Sequence, residues 1–313
     1  MSTREFQIAL ANGDLTGLAA IPKSDLHNHS ILGTRIECIE SWLGHPLPHP
    51  SSRMTCLDDM ISYAKDVLYP HILSREGFEF TARSAVQNAI DDGVSILEMS
   101  LDVRFLSLFD PIPDGYFSFI SDLVKDFEEK IDFRPEIGMS KDRSAPDQAR
   151  LASLCIRTGL FYSVDLYGNE TAQHPAPFSG VYSEARDHGL KLKAHAGEFA
   201  GPEIIIETLD TLRPDEIQHG VTAATSESLM ERLQRDHIRL NVCPSSNVAL
   251  GVVRDIAHHP IRILFDRGVP VTINSDDLTI FGQSVSQEYL LLFKSGLFTA
   301  DELDTIRLEG LSS

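Results

Sequence analysis

The stretch that decides the fold is residues 186–198, which read RDHGLKLKAHAGE. A helix-like segment ends at His188-Gly189, and a short apolar run, 190–196, follows directly. Glycine at the end of a helix adopts the left-handed conformation without steric cost, so Gly189 is a natural helix stop. Short apolar runs of this kind are typical of strands buried on both faces of a parallel sheet. The stretch therefore predicts a helix-to-strand junction of an α/β fold.

The same junction, a polar residue, a glycine and then an apolar run, recurs at Gly93, Gly159 and Gly268. Four more segments are added as strands, which gives eight candidates, at 23–29, 95–99, 133–139, 161–166, 190–196, 216–219, 238–243 and 270–274. Eight βα units in about 300 residues favour a closed barrel. A GxGxxG motif does not follow the first run, which argues against a dinucleotide-binding sheet. We expect residues 1–313 to form a single (β/α)8 TIM barrel domain.

Composition narrows the possible partners and the compartment. The net charge is −19, from 46 acidic and 27 basic residues, so nucleic acids and anionic membranes are unfavourable partners. The N-terminus lacks a secretory pattern, and no apolar run is long enough to cross a bilayer. The four cysteines are scattered, which predicts free thiols and a cytoplasmic protein.

The first candidate metal ligands are His27 and His29, which close the first predicted strand. Residues two apart on a strand point to the same side, so both imidazoles can reach one ion. Neutral imidazoles suit zinc or another borderline transition metal. A surface histidine pair is the alternative, and phosphoesterase barrels also begin with HxH, so this pair alone does not define a reaction.

Three further groups end the predicted strands five, six and eight. They are His195 with Glu198, then His219, then Asp276 with Asp277. Each is weak evidence alone, because acids in turns are usually solvated and single histidines are usually structural. Since the carboxyl ends of barrel strands meet at one face, we expect these groups to converge with the HxH pair.

At these residues the chain resembles the adenosine deaminase family of zinc aminohydrolases. The resemblance covers roughly residues 20–300 and rests on five ordered motifs, HxH, HAGE, HG, CPxSN and SDD. Here they stand at His27–His29, 195–198, 219–220, 243–247 and 275–277. Residues 165–170, DLYGNE, are similar to the family's DLxGxE segment.

The resemblance implies a role for each of these residues. One zinc ion per chain would be bound by His27, His29, His195 and Asp276. His219 would position the attacking water and help to deprotonate it, and Glu198 would protonate a ring nitrogen of a purine-type substrate. Asp277 and the backbone N–H of Gly168 would bind other ring nitrogens. The expected reaction replaces the amino group of an adenosine- or adenine-type purine with an oxo group and releases ammonia.

One departure leaves the substrate open. Nucleoside-using members typically continue as HxHxDG, with an acid that meets the sugar, whereas residues 30–35 here read SILGTR. The substrate is therefore a free base, a modified adenine or a nucleoside held differently. The oligomeric state is not set by the sequence.

Other predictions concern residues outside the motif roles. Cys243 is interpreted as a packed thiol, and His258-His259 as the start of a helix without a site role. The last helix is expected to be short. Two alternatives stay open, a different metal hydrolase on the same scaffold and a barrel that binds without catalysis.

Overall fold

The computed structural model describes residues 3–51, 53–54, 56–109 and 114–312. Its strands are β1 Lys23–His29, β2 Val94–Asp102, β3 Asp132–Ser140, β4 Ser163–Tyr167, β5 Lys191–Ala196, β6 Glu216–His219, β7 Arg239–Val242 and β8 Val271–Ile273. Neighbouring strands pair in parallel in the order β1 to β8, and helices alternate with them. The predicted (β/α)8 TIM barrel is confirmed.

The helices of the described residues cover the outside and the ends of the barrel. They are α1 Thr3–Asn12, α2 Leu15–Ala19, α3 Ile36–Leu43, α4 Leu57–Tyr63, α5 Tyr69–Ile72, α6 Arg75–Asp91, α7 Asp114–Phe127, α8 Ala145–Ile156, α9 Ser179–Asp187, α10 Pro202–Thr211, α11 Glu227–Arg235, α12 Pro244–Ala249, α13 Ile261–Asp266, α14 Leu278–Phe281, α15 Val285–Lys294 and α16 Ala300–Leu311. A π-helical segment, Ala64–Leu68, joins α4 to α5, and 3-10 segments lie at Val103–Phe109, Ala176–Phe178, Val221–Thr225 and Ile256–His258.

The glycines at the predicted helix stops all adopt the left-handed conformation. Their φ angles are +74° at Gly93, +69° at Gly159, +78° at Gly189 and +71° at Gly268. A side chain at Gly93 would also clash, because its Cβ would lie 2.0 Å from the carbonyl oxygen of Ala19. These positions therefore turn each helix into the following strand, as the repeated junction predicts.

The barrel closes between its last and first strands. Asn28 and Asp276 form a parallel bridge, and the Asp276 N–H donates to the His27 carbonyl at 3.0 Å. The Asn274 side-chain oxygen accepts from the Leu26 N–H at 2.8 Å. This seam brings the end of β1 and the residues after β8 to the same face of the barrel.

The expectation of a short last helix was wrong. After β8 the chain forms α15 and α16, of 10 and 12 residues. Leu303 and Ile306 of α16 are buried, and the helix packs against β1, β8 and α1. Burial of this apolar face stabilises a full-length helix.

Buried ion pairs fill the barrel below the site. Lys193 on β5 contacts the carboxylate of Glu98, lies 3.0 Å from that of Glu136, and donates to the Leu26 carbonyl at 2.9 Å. All three side chains are buried, and Arg134, whose Nη1 lies 3.0 Å from Glu98, adds a second positive charge beside the two carboxyl groups. Within the described residues, every helix is too short or too polar to cross a membrane.

Candidate active site

The four predicted metal ligands lie together at the carboxyl ends of the strands. The ligand nitrogens of His27, His29 and His195 are all within 4.8 Å of one another. Asp276 Oδ1 lies 3.7 Å from His27 Nε2 and 3.6 Å from His29 Nε2. Segments from β1, β5 and the residue run after β8 therefore converge on one point.

A backbone contact orients the His27 ring, and burial affects the charge of both histidines of β1. His27 Nδ1 lies 3.3 Å from the Asn241 carbonyl oxygen, and its buried Nε2 has no hydrogen-bond partner among the described residues. Burial lowers the pKa of His27 well below its usual value and that of His29 to about 3, so both rings are neutral. An unsatisfied buried nitrogen facing two more imidazoles and a carboxylate fits a borderline transition metal such as zinc.

Glu198 lies beside this centre in a buried position. Its Oε1 accepts from the Asn247 side chain at 3.0 Å, and its Oε2 lies 3.4 Å from His219 Nε2. Burial raises the pKa of Glu198 well above its usual value, and the charges of Asp276 and Glu170 raise it further. A carboxyl group in this environment holds its proton near neutral pH and can act as an acid.

The turn that carries Glu198 is fixed by another carboxylate, Glu170. Its two oxygens accept from the N–H groups of Gly197 at 2.7 Å, Glu198 at 2.8 Å and Phe199 at 2.9 Å. Gly197 has φ +72°, and a Cβ there would lie 2.3 Å from Ile205 Cδ1. Glu170 and Gly197 together set the direction of Glu198. Glu170 ends the DLYGNE motif, which was recognisable in the sequence, but its role in the turn was not predicted.

Two site residues have unusual backbone conformations. His219 and Asp276 have φ angles of +61° and +60°, which cost non-glycine residues about 1–3 kcal/mol each. His219 Nε2 lies 3.8 Å from Asp276 Oδ2. Strain of this kind persists where the surrounding structure over-determines the conformation, as it does in this buried cluster.

Two residues outside the motif roles also reach the site. Cys243 is buried as predicted, and its Sγ lies 3.3 Å from His27 Nδ1. Burial raises the pKa of its thiol well above the usual value, which keeps it protonated. His259 lies just before α13, as expected, but it is buried and its Nε2 is 3.3 Å from Asn247 Oδ1.

A cavity of about 290 Å³ opens onto the cluster. Gly168 and Asp277 line it together with His29, His195 and Asp276, so the predicted substrate contacts and three of the predicted metal ligands share one space. In the part of the chain that the structure describes, the buried Asp277 Oδ1 lacks a hydrogen-bond partner, and Gly168 has φ +95°. The cavity also has an apolar wall, which comprises Ile31, Leu32, Leu57, Met60, Ile61 and Phe105.

Known proteins are similar to this chain in sequence and in fold. The adenosine deaminase family model matches residues 55–313. A putative adenosine/adenine deaminase of Treponema pallidum is 31% identical over 278 residues, which are 89% of this chain and 93% of that protein. The solved adenine deaminase of Arthrobacter aurescens superposes with a TM-score of 0.80 at 24% identity, over 93% of both chains.

A zinc-bound amidohydrolase of Burkholderia ambifaria has the same fold, with a TM-score of 0.77 at 20% identity over 94% of this chain and 86% of that one. The family match covers most of the chain, and the Treponema relative is similar over nearly its whole length. The chain therefore belongs to the adenosine deaminase family.

Proposed function

We propose that this chain is a zinc-dependent aminohydrolase that converts an adenine-type purine to its oxo product. The reaction consumes one water, breaks the bond between C6 and the exocyclic nitrogen, forms a C6 oxo group and releases ammonia. The observation that carries the proposal is the position of the buried Glu198, whose pKa burial raises, beside three converging imidazoles and Asp276. A zinc ion, when bound, activates water at neutral pH.

The side chains divide the remaining work. His27, His29, His195 and Asp276 would hold one ion per chain. Glu198 would protonate the ring nitrogen next to C6, which weakens the aromatic system toward attack. Asp277, whose pKa burial raises well above its usual value, would stay protonated and donate to another ring nitrogen. The Gly168 N–H would bind the opposite side of the ring, and His219 would orient the attacking water.

The apolar wall supports a free base or an apolar-substituted adenine as the preferred substrate. Ile31 occupies the position where the HxHxDG pattern has an acid, and it is buried in the cavity wall. A ribose hydroxyl against Ile31 and Leu32 would lose hydrogen bonds to water without replacement. Arg104, also in the cavity, lies 3.1 Å from Asp102, so its charge is already paired and a phosphate gains less from it.

An ammonia-release screen tests this proposal. The zinc-loaded enzyme would be assayed for ammonia release on adenine, adenosine, deoxyadenosine, AMP and pterins. N6-substituted adenines would be assayed by the appearance of the oxo product, because they release a substituted amine and not ammonia. We expect the highest kcat/KM for a base. Turnover of pterins alone would contradict the purine assignment, and preference for adenosine or AMP would contradict the role of the wall. Ile31→Asp should raise the ratio of kcat/KM for adenosine to kcat/KM for adenine. Ile263→Asp, at an exposed position on α13, should leave this ratio unchanged.

A cytoplasmic location is part of the same proposal. Cys38, Cys155 and Cys243 are free thiols, as expected for a reducing compartment. The highly acidic surface agrees with a small-molecule substrate and disfavours nucleic acid.

A further inference from the structure

Asn247, on α12, is the centre of a hydrogen-bond chain that runs from the catalytic face to α13. Its Nδ2 lies 3.0 Å from Glu198 Oε1 and 3.2 Å from His219 Nδ1. Its Oδ1 lies 3.3 Å from His259 Nε2. Asn247 is fully buried and His259 is 1% exposed, so water does not compete for these contacts.

The direction of each hydrogen bond follows from the contact at the α13 end of this series, between Ile261 and His259. The Ile261 N–H donates to His259 Nδ1 at 3.1 Å, which therefore carries a lone pair. Burial lowers the pKa of His259 to about 3, so the ring is neutral and its one proton is on Nε2. His259 Nε2–H must then donate to Asn247 Oδ1. This contact fixes which way the Asn247 amide faces.

With its oxygen committed to His259, Asn247 presents its two N–H groups to the site. One donates to Glu198 Oε1 and the other to His219 Nδ1. A neutral His219 that accepts at Nδ1 carries its proton on Nε2, the nitrogen on the side of Glu198 and Asp276. Glu198, in turn, accepts at Oε1, which leaves Oε2 to carry its acidic proton.

We propose that His259 and Asn247 are positioning residues that set the hydrogen-bond polarity of the site, so that His219 offers an N–H donor and Glu198 holds its proton on Oε2. The proposal rests on the proposed deaminase function for its catalytic meaning. It changes the expected role of His219, which in this tautomer orients water by donating a hydrogen bond and does not remove a proton from it.

Three substitutions separate this role from simple packing. His259→Gln keeps a donor for Asn247 and an acceptor for Ile261, so kcat should stay within about 3-fold of wild type. His259→Leu keeps bulk but removes the donor, and kcat should fall about 10–100-fold with little change in KM, as for other residues that orient a catalytic group. Asn247→Asp replaces the donor with an acceptor and should lower kcat at least as much.

The matched control is His258→Gln, because His258 is exposed beside His259 and pairs with Asp255. It should leave kcat unchanged. Melting temperatures of all variants would be measured, and the comparison of His259→Gln with His259→Leu applies where both are folded. Wild-type kcat in folded His259→Leu would overturn the proposal.

Nitrogen-15 NMR of histidine-labelled protein gives a readout that does not depend on activity. In the metal-free wild-type protein, both His259 and His219 should show a protonated Nε2 and an unprotonated Nδ1, and Asn247→Asp should move the His219 proton to Nδ1. A wild-type His219 protonated at Nδ1 would overturn the proposal. If no purine is deaminated, the proposed function fails. The NMR result still decides the direction of the hydrogen bonds between His259, Asn247 and His219.

Discussion

The Asp165 carboxylate holds His195 from behind, with Oδ2 of Asp165 3.0 Å from Nδ1 of His195. Both side chains are buried, so the contact is screened little by solvent. A carboxylate on the outer nitrogen turns the inner nitrogen toward a metal and makes it a stronger ligand. Asp165 begins the DLYGNE segment, whose resemblance to DLxGxE was recognisable in the sequence, but no role was predicted for this residue.

Removing that carboxylate should weaken the metal site. We expect Asp165→Ala to raise the Kd for zinc about 10–100-fold, the usual effect of losing such a partner. Competition with a chromophoric chelator measures this Kd. Asp132→Ala, which removes an exposed carboxylate from β3, is the control and should leave the Kd unchanged. An unchanged Kd in Asp165→Ala would refute the role of Asp165.

Glu198→Gln tests the acid. The amide oxygen can still accept from Asn247, so the turn should keep its shape and the protein should keep its zinc. Turnover should fall roughly 10²–10⁴-fold because the proton donor is lost. Steady-state kinetics with metal analysis would measure both quantities, and Glu203→Gln, an exposed change on α10, would serve as the reference. Near-normal turnover would remove Glu198 from this role.

Glu170 should matter for both stability and rate. Glu170→Ala leaves three N–H groups of the turn without their acceptor, and a hydrogen bond to a charged group contributes about 1.5–3 kcal/mol. We expect a lower free energy of unfolding in urea and a lower kcat, with Glu170→Gln between Ala and wild type. If Glu170→Ala loses stability but keeps full kcat once folded, the turn does not aim Glu198.

Stability should depend on pH through Glu288, on α15. Burial raises the pKa of Glu288 from 4.5 to about 8, although the Ser245 N–H donates to it at 3.2 Å. The folded protein therefore keeps a proton that the unfolded chain releases. The contribution of this group is present in full below pH 4.5, and it is lost as the pH rises to about 8.

Glu288→Gln should remove this pH dependence. The free energy of unfolding of Glu288→Gln minus that of wild type should be larger at pH 9 than at pH 5. Urea denaturation of both proteins at both pH values measures this difference. The same wild-type-to-variant difference at the two pH values would show that Glu288 does not titrate in this range.

The barrel and the gathering of the site could be predicted because each depends on local chemistry. A left-handed glycine after a helix is encoded in the residue itself, and β1 and β6 begin and end where the predicted strands do. The predicted 161–166 run was less accurate, since β4 is Ser163–Tyr167. That residues 1–313 form a single domain stays a prediction.

The supporting contacts of the site could not be predicted, because they depend on how distant segments face one another. Asn247 is the last residue of the CPxSN motif, but its contact with His259 depends on the relative placement of α12 and α13. The three N–H groups that Glu170 accepts from become visible only once β4 and β5 are side by side. A motif thus identifies reactive residues better than the residues that orient them.

The seam between Asn28 and Asp276 has a consequence for the order of events during synthesis. It joins positions about 250 residues apart, as the neighbouring contact of Asp25 with Ser275 shows. Such contacts carry a large loop-closure entropy and form late in folding. A nascent chain that has not yet reached Asp276 would contain the three imidazoles but not the carboxylate that lies beside them. A metal ion bound by these four side chains would connect the first strand of the barrel to the segment after the last one.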